Sequence, residues 1–282
     1  MYISVNGQIV QDTEASISPY DHGFLYGLGL FETFAVRNDA IFLLDHHLAR
    51  LNVSVQELGF EYVLTEDVVY RTVRKLLKKN DLQEAYIRWN VSAGIREIGL
   101  ANEPFLDPQE IVYVKALPPL PAAAKSLVSL KLNRNSIEGN RRYKSHHYLN
   151  NVLAKKELGN QPNTEGLFYT AEGYAAEGIV SNLFFVKNGS VYTPSLETGI
   201  LNGVTRQYVL AWCKKNRKKV EEGFYTKEEL AQADEVFLTN AIQGIVAVHS
   251  VDHQSLASYT ITEQLAKSYQ LAIKMEERIG NE

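Results

Sequence analysis

The spacing of apolar and polar positions divides the 282 residues into two runs of elements separated by a proline cluster. Residues 1–10 alternate with a period of two around Asn6-Gly7, which predicts an opening hairpin. A strand is predicted over 29–36, closed by Asn38-Asp39, and apolar spacings of three and four residues predict helices over 44–58 and 66–79. Strands follow over 85–92 and 110–116. Leu117-Pro118-Pro119-Leu120-Pro121 then breaks the pattern, because this density of proline fits neither a helix nor a central strand. Domains are therefore expected over 1–117 and 122–282, with 118–121 as the linker.

Beyond the linker, strands are predicted over 126–132, 165–170 and 182–187. Asn188-Gly189 turns the last of these into a strand over 191–193. Helices over 204–216 and 227–231, a strand over 235–238 and a terminal helix over 262–278 complete the pattern. Between the first two of these strands, Tyr148, Leu149, Val152 and Leu153 recur at helical spacing after Ser145. That spacing predicts a helix capped by Ser145, packed through those apolar residues, with Lys144 held at its entrance. The mixture of elements is that of an α/β (α+β) chain, and no internal repeat is present.

Composition narrows the function classes. A content of 45% hydrophobic and 22% charged residues is that of a soluble globular protein, and a net charge of -4 gives no general attraction to nucleic acid or to an anionic membrane. The one dense basic run, Lys214-Lys215-Asn216-Arg217-Lys218-Lys219, follows a helical stretch and suits the negative end of a helix dipole. Cys213 is the only cysteine, so no internal disulfide forms and a reducing, cytoplasmic location is expected. The opening residues lack a signal segment, and no apolar run approaches the roughly 20 residues of a membrane helix.

Candidate chemistry is spread along the chain. A lysine that reacts with carbonyls must lose its proton near neutral pH, and crowding by Arg141 and Arg142 would favour that at Lys144. Gly27-Leu28-Gly29-Leu30-Phe31-Glu32 lacks the third glycine of a dinucleotide fingerprint and leads into a strand, so its glycines serve close packing or ligand contact. The histidine pairs 46–47 and 146–147 diverge by about 100° on a helix. His249 and His253 flank a stretch that reads as a loop, so no metal site is expected. Gly199 to Arg206 delivers a glycine turn into a helix start, where free N–H groups and Thr205 could cradle a phosphate. Arg50 is a second phosphate candidate. Glu177, beside small residues and an apolar strand, needs a positively charged or hydrogen-bonding partner, and a protonated pyridine nitrogen would be one.

These motifs together resemble the class-IV aminotransferase family, which comprises branched-chain and D-amino acid transaminases and 4-amino-4-deoxychorismate lyases. The resemblance runs through Gly27-x-Gly29-Leu30-Phe31-Glu32-Thr33, His47-Leu48-x-Arg50-Leu51, Lys144-Ser145 to Asn150, Glu177-Gly178 to Phe184, Asn202-Gly203-x-Thr205-Arg206 and Ala233 to Phe237. It implies a two-domain fold-type IV enzyme, with a smaller N-terminal α/β domain and a larger, barrel-like C-terminal α/β domain, and pyridoxal 5'-phosphate as cofactor. It also implies that Lys144 binds the cofactor covalently and moves protons, and that Glu177 pairs with the ring nitrogen. Arg50, Val204, Thr205 and Thr239 or Asn240 would hold the phosphate, and Tyr148 would lie near the cofactor.

Thr239-Asn240-Ala241-Ile242-Gln243-Gly244 and Phe31-Glu32-Thr33 look like the lyase branch, which implies elimination of pyruvate from aminodeoxychorismate in folate biosynthesis, with Thr33 as proton donor. The expected partners are a small-molecule substrate and a second copy in a homodimer, with no nucleic acid and no membrane. A D-amino acid or branched-chain transaminase and a catalytically silent binding homologue are the alternatives. The usual arginine before Gly94 is Ala93 here, and the usual Gly-Asp-Gly is Gly27-Leu28-Gly29, which leaves the substrate contacts unassigned.

Overall fold

The computed structural model describes residues 1–100, 102–120 and 124–276. The chain forms two compact units. Among the described residues, Met1–Pro118, Tyr143–His147 and 273–276 make up the first, and Pro119–Arg142 with Tyr148–Ala272 the second. The chain thus leaves the second unit for five residues around Lys144, which a single cut at the linker does not anticipate. Pro121 of that linker and the expected helix end at residue 278 lie outside the described residues.

The first unit contains β1 (Tyr2–Val5), β2 (Gln8–Gln11), α1 (His22–Tyr26), β3 (Gly29–Arg37), β4 (Ala40–Ile41), α2 (Leu44–Glu57), α3 (Glu66–Asn80), β5 (Ala85–Ser92) and β6 (Gln109–Ala116). Its strands form an antiparallel sheet in the order β2-β1-β6-β5-β3-β4. Asn38 and Asp39 both adopt positive φ, 50° and 59°, the backbone of a tight hairpin turn between β3 and β4. Along β5, Ala85, Ile87, Trp89 and Val91 are buried while the residues between them are half-buried. Period-two alternation therefore gives the sheet one core face, and Leu51 and Val55 of α2 join Val69, Val73 and Leu76 of α3 in that core. Phe31 and Thr33 of β3 point to the opposite face.

The second unit contains β7 (Lys125–Ser129), α4 (Leu149–Leu158), β8 (Thr164–Tyr169), β9 (Ala175–Gly178), β10 (Asn182–Lys187), β11 (Ser190–Pro194), α5 (Val204–Lys215), β12 (Val220–Gly223), α6 (Lys227–Leu230), β13 (Glu235–Asn240), β14 (Gly244–Val251), β15 (Gln254–Ser255) and all but the last turn of α7 (Thr260–Met275). The strand order is β12-β11-β10-β13-β14-β7-β8-β9, and β9 also pairs with β10, which closes six strands into a ring. Leu127, Leu167, Leu183, Leu238 and Val248 cluster on one face of these strands. Phe184, Phe237 and Ile245 point the other way, against Val209 of α5 and Leu265 of α7. This is the barrel-like α/β domain implied by the resemblance.

Three local expectations are corrected. Helix α4 starts at Leu149 after Tyr148, not at Ser145, because Ser145 is bridged to Leu30 through the bonds of its neighbours, the Lys144 carbonyl and the His146 amide, which hold this stretch extended along β3. Its apolar stripe is also turned outward: Leu149, Val152 and Leu153 are 69%, 45% and 42% exposed, and the packed positions are Asn151, Ala154 and Leu158. Both stripes have helical spacing, so periodicity alone could not choose between them. Ser250-Val251 belong to β14 instead of a loop, and the His249 imidazole bonds the Ser126 hydroxyl at 3.1 Å. Among the described residues no helix is long and apolar enough to cross a membrane.

Candidate active site

Lys144 is positioned by a short strand-like segment. At the start of β3 one edge is left unpaired by β4, which covers only Val36 and Arg37, and residues 143–147 fill it. The Phe31 amide donates to the Lys144 carbonyl at 2.8 Å, and the His146 amide donates to the Gly29 carbonyl at 2.9 Å. Gly27 and Gly29 make this approach possible: a Cβ on Gly27 would lie 2.6 Å from the His147 ring, and one on Gly29 would lie 2.3 Å from the His146 ring. Of the two roles open to these glycines, close packing is the one they perform. The Lys144 ammonium lies 4.4 Å from the centroid of the Phe31 ring, and the Arg88 guanidinium lies 3.6 Å from it. Arg88 thus shares this ring with Lys144. Thr33 follows Phe31 by two residues on the same face and is paired in register with Arg88.

On the core face of β3, Glu32 is buried with two partners from α2. Arg50 donates to it through Nε and Nη2, each at 2.7 Å, and His47 Nδ1–H donates at 2.7 Å. Burial alone would raise the Glu32 carboxyl, but Arg50 and then His47 outweigh it and hold the group down at about 2. Burial also lowers His47 below its usual value, outweighing the attraction of Glu32, so the imidazole acts as a neutral donor. Two of the Arg50 nitrogens are therefore committed to Glu32, which fixes the guanidinium expected at the phosphate.

This triad gives a pH-dependent result. A carboxyl held below its ordinary 4.5 contributes stability that is complete above that value and disappears as the pH falls through about 2. In Glu32→Gln the acid-induced fall in Tm across this window should flatten. At neutral pH the variant should lose about 3–5 kcal/mol, since Arg50 is left without its counter-charge. Thermal unfolding of both proteins as a function of pH checks this, and parallel Tm curves would remove Glu32 from the account.

In the second unit a register row gathers residues from distant parts of the sequence. Glu177 pairs with Asn182, and Asn182 pairs with Thr239, so three adjacent strands present these side chains on one face. A bulge helps to aim the first of them. Leu167 pairs with Gly178 and Tyr169 with Ala175, so β9 carries one residue more than β8 between these pairs, at Ala176-Glu177. The Glu177 carboxylate is buried and accepts three hydrogen bonds: Arg134 Nε at 2.9 Å on Oε1, and the Leu201 amide at 3.0 Å with Asn182 Nδ2 at 3.3 Å on Oε2. Asn182 Nδ2 also donates to the Leu201 carbonyl at 2.8 Å, which ties the loop before α5 to Glu177.

Helix α5 opens at Val204 behind Gly203, which supplies no capping side chain. A Cβ on Gly203 would fall 2.1 Å from Asn182 Oδ1, so the turn needs glycine there. The first amides of a helix have no partner within it, so Val204 and Thr205 present an anion-binding end. Thr239 Oγ1 and Ser181 Oγ are buried without a hydrogen-bond partner among the described residues. Asn240 is committed locally: its Oδ1 accepts from the amides of Ile242 at 3.0 Å and Gln243 at 2.8 Å, and so shapes the turn after β13. Tyr148 immediately precedes α4.

The expected residues therefore fall into two groups. Lys144, Thr33 and Arg50 belong to the first unit, and Glu177, Val204, Thr205, Thr239, Asn240 and Tyr148 to the second. The residue that sequence reasoning missed is Arg134. An arginine just after an apolar strand, in Leu130-Lys131-Leu132-Asn133-Arg134, was the available signal, and the need of Glu177 for a positive partner was the reason to look for it.

The chain belongs to the class IV amino-transferase family, whose family model matches residues 29–251. The aminodeoxychorismate lyase of Bacillus subtilis (strain 168) is 41% identical over 278 residues, covering 96% of this chain and 94% of the relative. Among solved structures, the branched-chain aminotransferase of the archaeon Thermoproteus uzoniensis with norvaline is similar at a TM-score of 0.87 and 25% identity, covering 99% of this chain and 97% of the other. The T.th. branched-chain amino acid aminotransferase with pyridoxamine 5'-phosphate is similar at a TM-score of 0.83 and 26% identity, covering 96% and 93%.

Proposed function

We propose that this protein is a pyridoxal-phosphate-dependent aminodeoxychorismate lyase, which removes pyruvate from 4-amino-4-deoxychorismate and leaves 4-aminobenzoate. The observation that carries the reading is the face of β3 opposite its core, where Thr33 follows the Phe31 ring that the Lys144 ammonium lies against. The 41% identity to a lyase across nearly the whole of both chains supports it.

The residues present fit the cofactor. Two buried hydroxyls, of Thr239 and Ser181, lack hydrogen-bond partners among the described residues, and the α5 end offers amides to a phosphate. The bound cofactor supplies an electron sink for the pair released at the amine-bearing carbon. Lys144 holds it covalently and, once free, its amine takes the proton from that carbon. Thr33 delivers a proton as the enolpyruvyl C–O bond breaks and the ring becomes aromatic. Glu177 holds the ring-nitrogen proton. Arg50, the Val204 and Thr205 amides and the Thr239 hydroxyl take the phosphate, with Asn240 shaping the turn beside Thr239 and Tyr148 lying near the ring.

The deciding experiment incubates the cofactor-loaded protein with aminodeoxychorismate and assays both products. Equal amounts of 4-aminobenzoate and pyruvate are expected. Efficient amino-group transfer from D-alanine or leucine without any aminobenzoate would replace the lyase with a transaminase. The reading places the enzyme in the cytoplasm as a homodimer. In the first unit the exposed Ile17, Phe24 and Ile95 ring a cavity of about 550 Å³, an apolar surface suited to a second copy. A monomer mass in sedimentation equilibrium would remove that part.

A further inference from the structure

The buried side chains around Glu177 make a cationic setting that the reaction as described does not use. Arg134 is held on several sides: its Nε donates to Glu177 Oε1 at 2.9 Å, and its Nη1 donates to Asn150 Oδ1 at 2.7 Å and to Asn135 Oδ1 at 3.0 Å. Asn150 Nδ2 in turn donates to the Asn133 carbonyl at 3.1 Å, which fixes the acceptor. A second guanidinium stands close by. Arg142 Nη1 donates to the same Asn135 Oδ1 at 3.1 Å, and its Nε donates to the Gly199 carbonyl at 2.7 Å. Burial and then the like charge of Arg134 lower Arg142 to about 10. The side chains of Arg134 and Glu177 are each 7% exposed, so water screens this pair poorly.

A carboxylate offers about four lone-pair sites. On Glu177 the Leu201 amide and Asn182 occupy Oε2, and Arg134 occupies one site on Oε1. The remaining acceptor direction thus belongs to the oxygen that Arg134 already polarises. Any further donor to Glu177 must share that oxygen with a fixed positive charge.

We infer that Arg134 is a positioning residue that aims the Glu177 carboxylate and weakens the hold of that carboxylate on the cofactor's ring-nitrogen proton. The inference rests on the reading of Glu177 as the partner of that nitrogen. With Arg134 in place the carboxylate is turned to a single direction and its charge is partly offset, so the proton is shared and not locked. Without the arginine the same carboxylate faces the ring nitrogen uncompensated in a dry site, and the proton is bound more tightly. The consequence is a tuned electron sink, with Arg134 setting how tightly the proton is held.

The test loads the protein with pyridoxal phosphate labelled with ¹⁵N in the ring and follows the nitrogen shift against pH by NMR. Arg134→Met should move the protonation midpoint upward by about one pH unit or more, a tenfold or greater tightening of the proton. Arg134→Lys, which keeps the charge but not the planar fork, should leave the midpoint near that of the wild type. Arg134→Gln keeps a hydrogen-bond donor in the buried space and gives the same upward shift if the methionine variant fails to fold. Glu177→Gln is the reference and should move the midpoint downward. If Glu177→Gln moves it and neither neutral Arg134 variant does, Arg134 is only a packing residue and the inference is overturned while Glu177 keeps its role. If Glu177→Gln leaves the midpoint in place, the underlying reading of Glu177 fails and the inference falls with it.

Discussion

Lys144→Ala is expected to fold normally and to show no lyase turnover. The segment around residue 144 is held against β3 by backbone bonds, from the Phe31 amide to the Lys144 carbonyl and from the His146 amide to the Gly29 carbonyl, and neither needs the lysine side chain. Removing the side chain takes away both the covalent hold on the cofactor and the group that carries the proton. Proton transfer by a positioned side chain is worth about 10²–10⁴ in rate, so losing it together with covalent attachment should cost more than about 10⁴. Borohydride reduction of the loaded wild type followed by mass spectrometry should find the adduct on residue 144. An adduct on any other lysine would overturn the assignment, and so would a Lys144→Ala protein that still turns over.

Thr33→Val should separate the chemistry from the cofactor. Valine keeps the β-branched shape that suits the middle of β3, and position 33 is half-buried, so the strand itself should tolerate the change. What disappears is the hydroxyl on the face shared with Phe31 and Arg88. The expected loss in lyase turnover is about 10²–10⁴, with cofactor affinity within a few-fold of the wild type. Turnover and cofactor titration measured on the same preparation decide it. Full lyase activity in the variant would show that another group donates the proton, and a matching loss of cofactor affinity would make Thr33 part of the binding site.

The fold was legible wherever one face of an element is buried. Strands β5 and β10 occupy the ranges that alternation or continuous apolar character assigns them, and α2, α3 and α5 end within a residue of their expected limits. Legibility failed where the partner is distant in sequence. Ser145 looks like a helix cap, yet the edge of β3 binds the backbone of Lys144 and His146 on either side of it. The apolar stripe of α4 reads as core, yet its buried side is set by Asn151, whose amide donates to the Ile179 carbonyl at 2.5 Å. Strand β9 is four residues, Ala175-Ala176-Glu177-Gly178, three of them small, with no alternation to read, and only its pairing with β8 and β10 makes it a strand.

The candidate site follows the same rule. Lys144, Glu177 and the turn into α5 announce themselves locally, by charge beside apolar runs and by glycine before a helix. The commitment of Arg50 to Glu32, the use of Asn240 in a turn and the hold of Arg134 on Glu177 depend on neighbours 18, 3 and 43 positions away, and for the two longer of these the local sequence does not name the partner.

The return of Tyr143–His147 to the first unit also bears on how the chain can be divided. A gene split at the proline cluster would yield an amino-terminal fragment without the piece that completes its sheet. In that fragment the Phe31 amide and the Gly29 carbonyl would have lost their partners, and the start of β3 would become an open edge ready to pair with another copy. Complementation from two halves cut there would have to thread five residues back into a sheet belonging to the other half. The proline cluster marks a break in the sequence pattern, but cutting it does not separate two self-sufficient pieces.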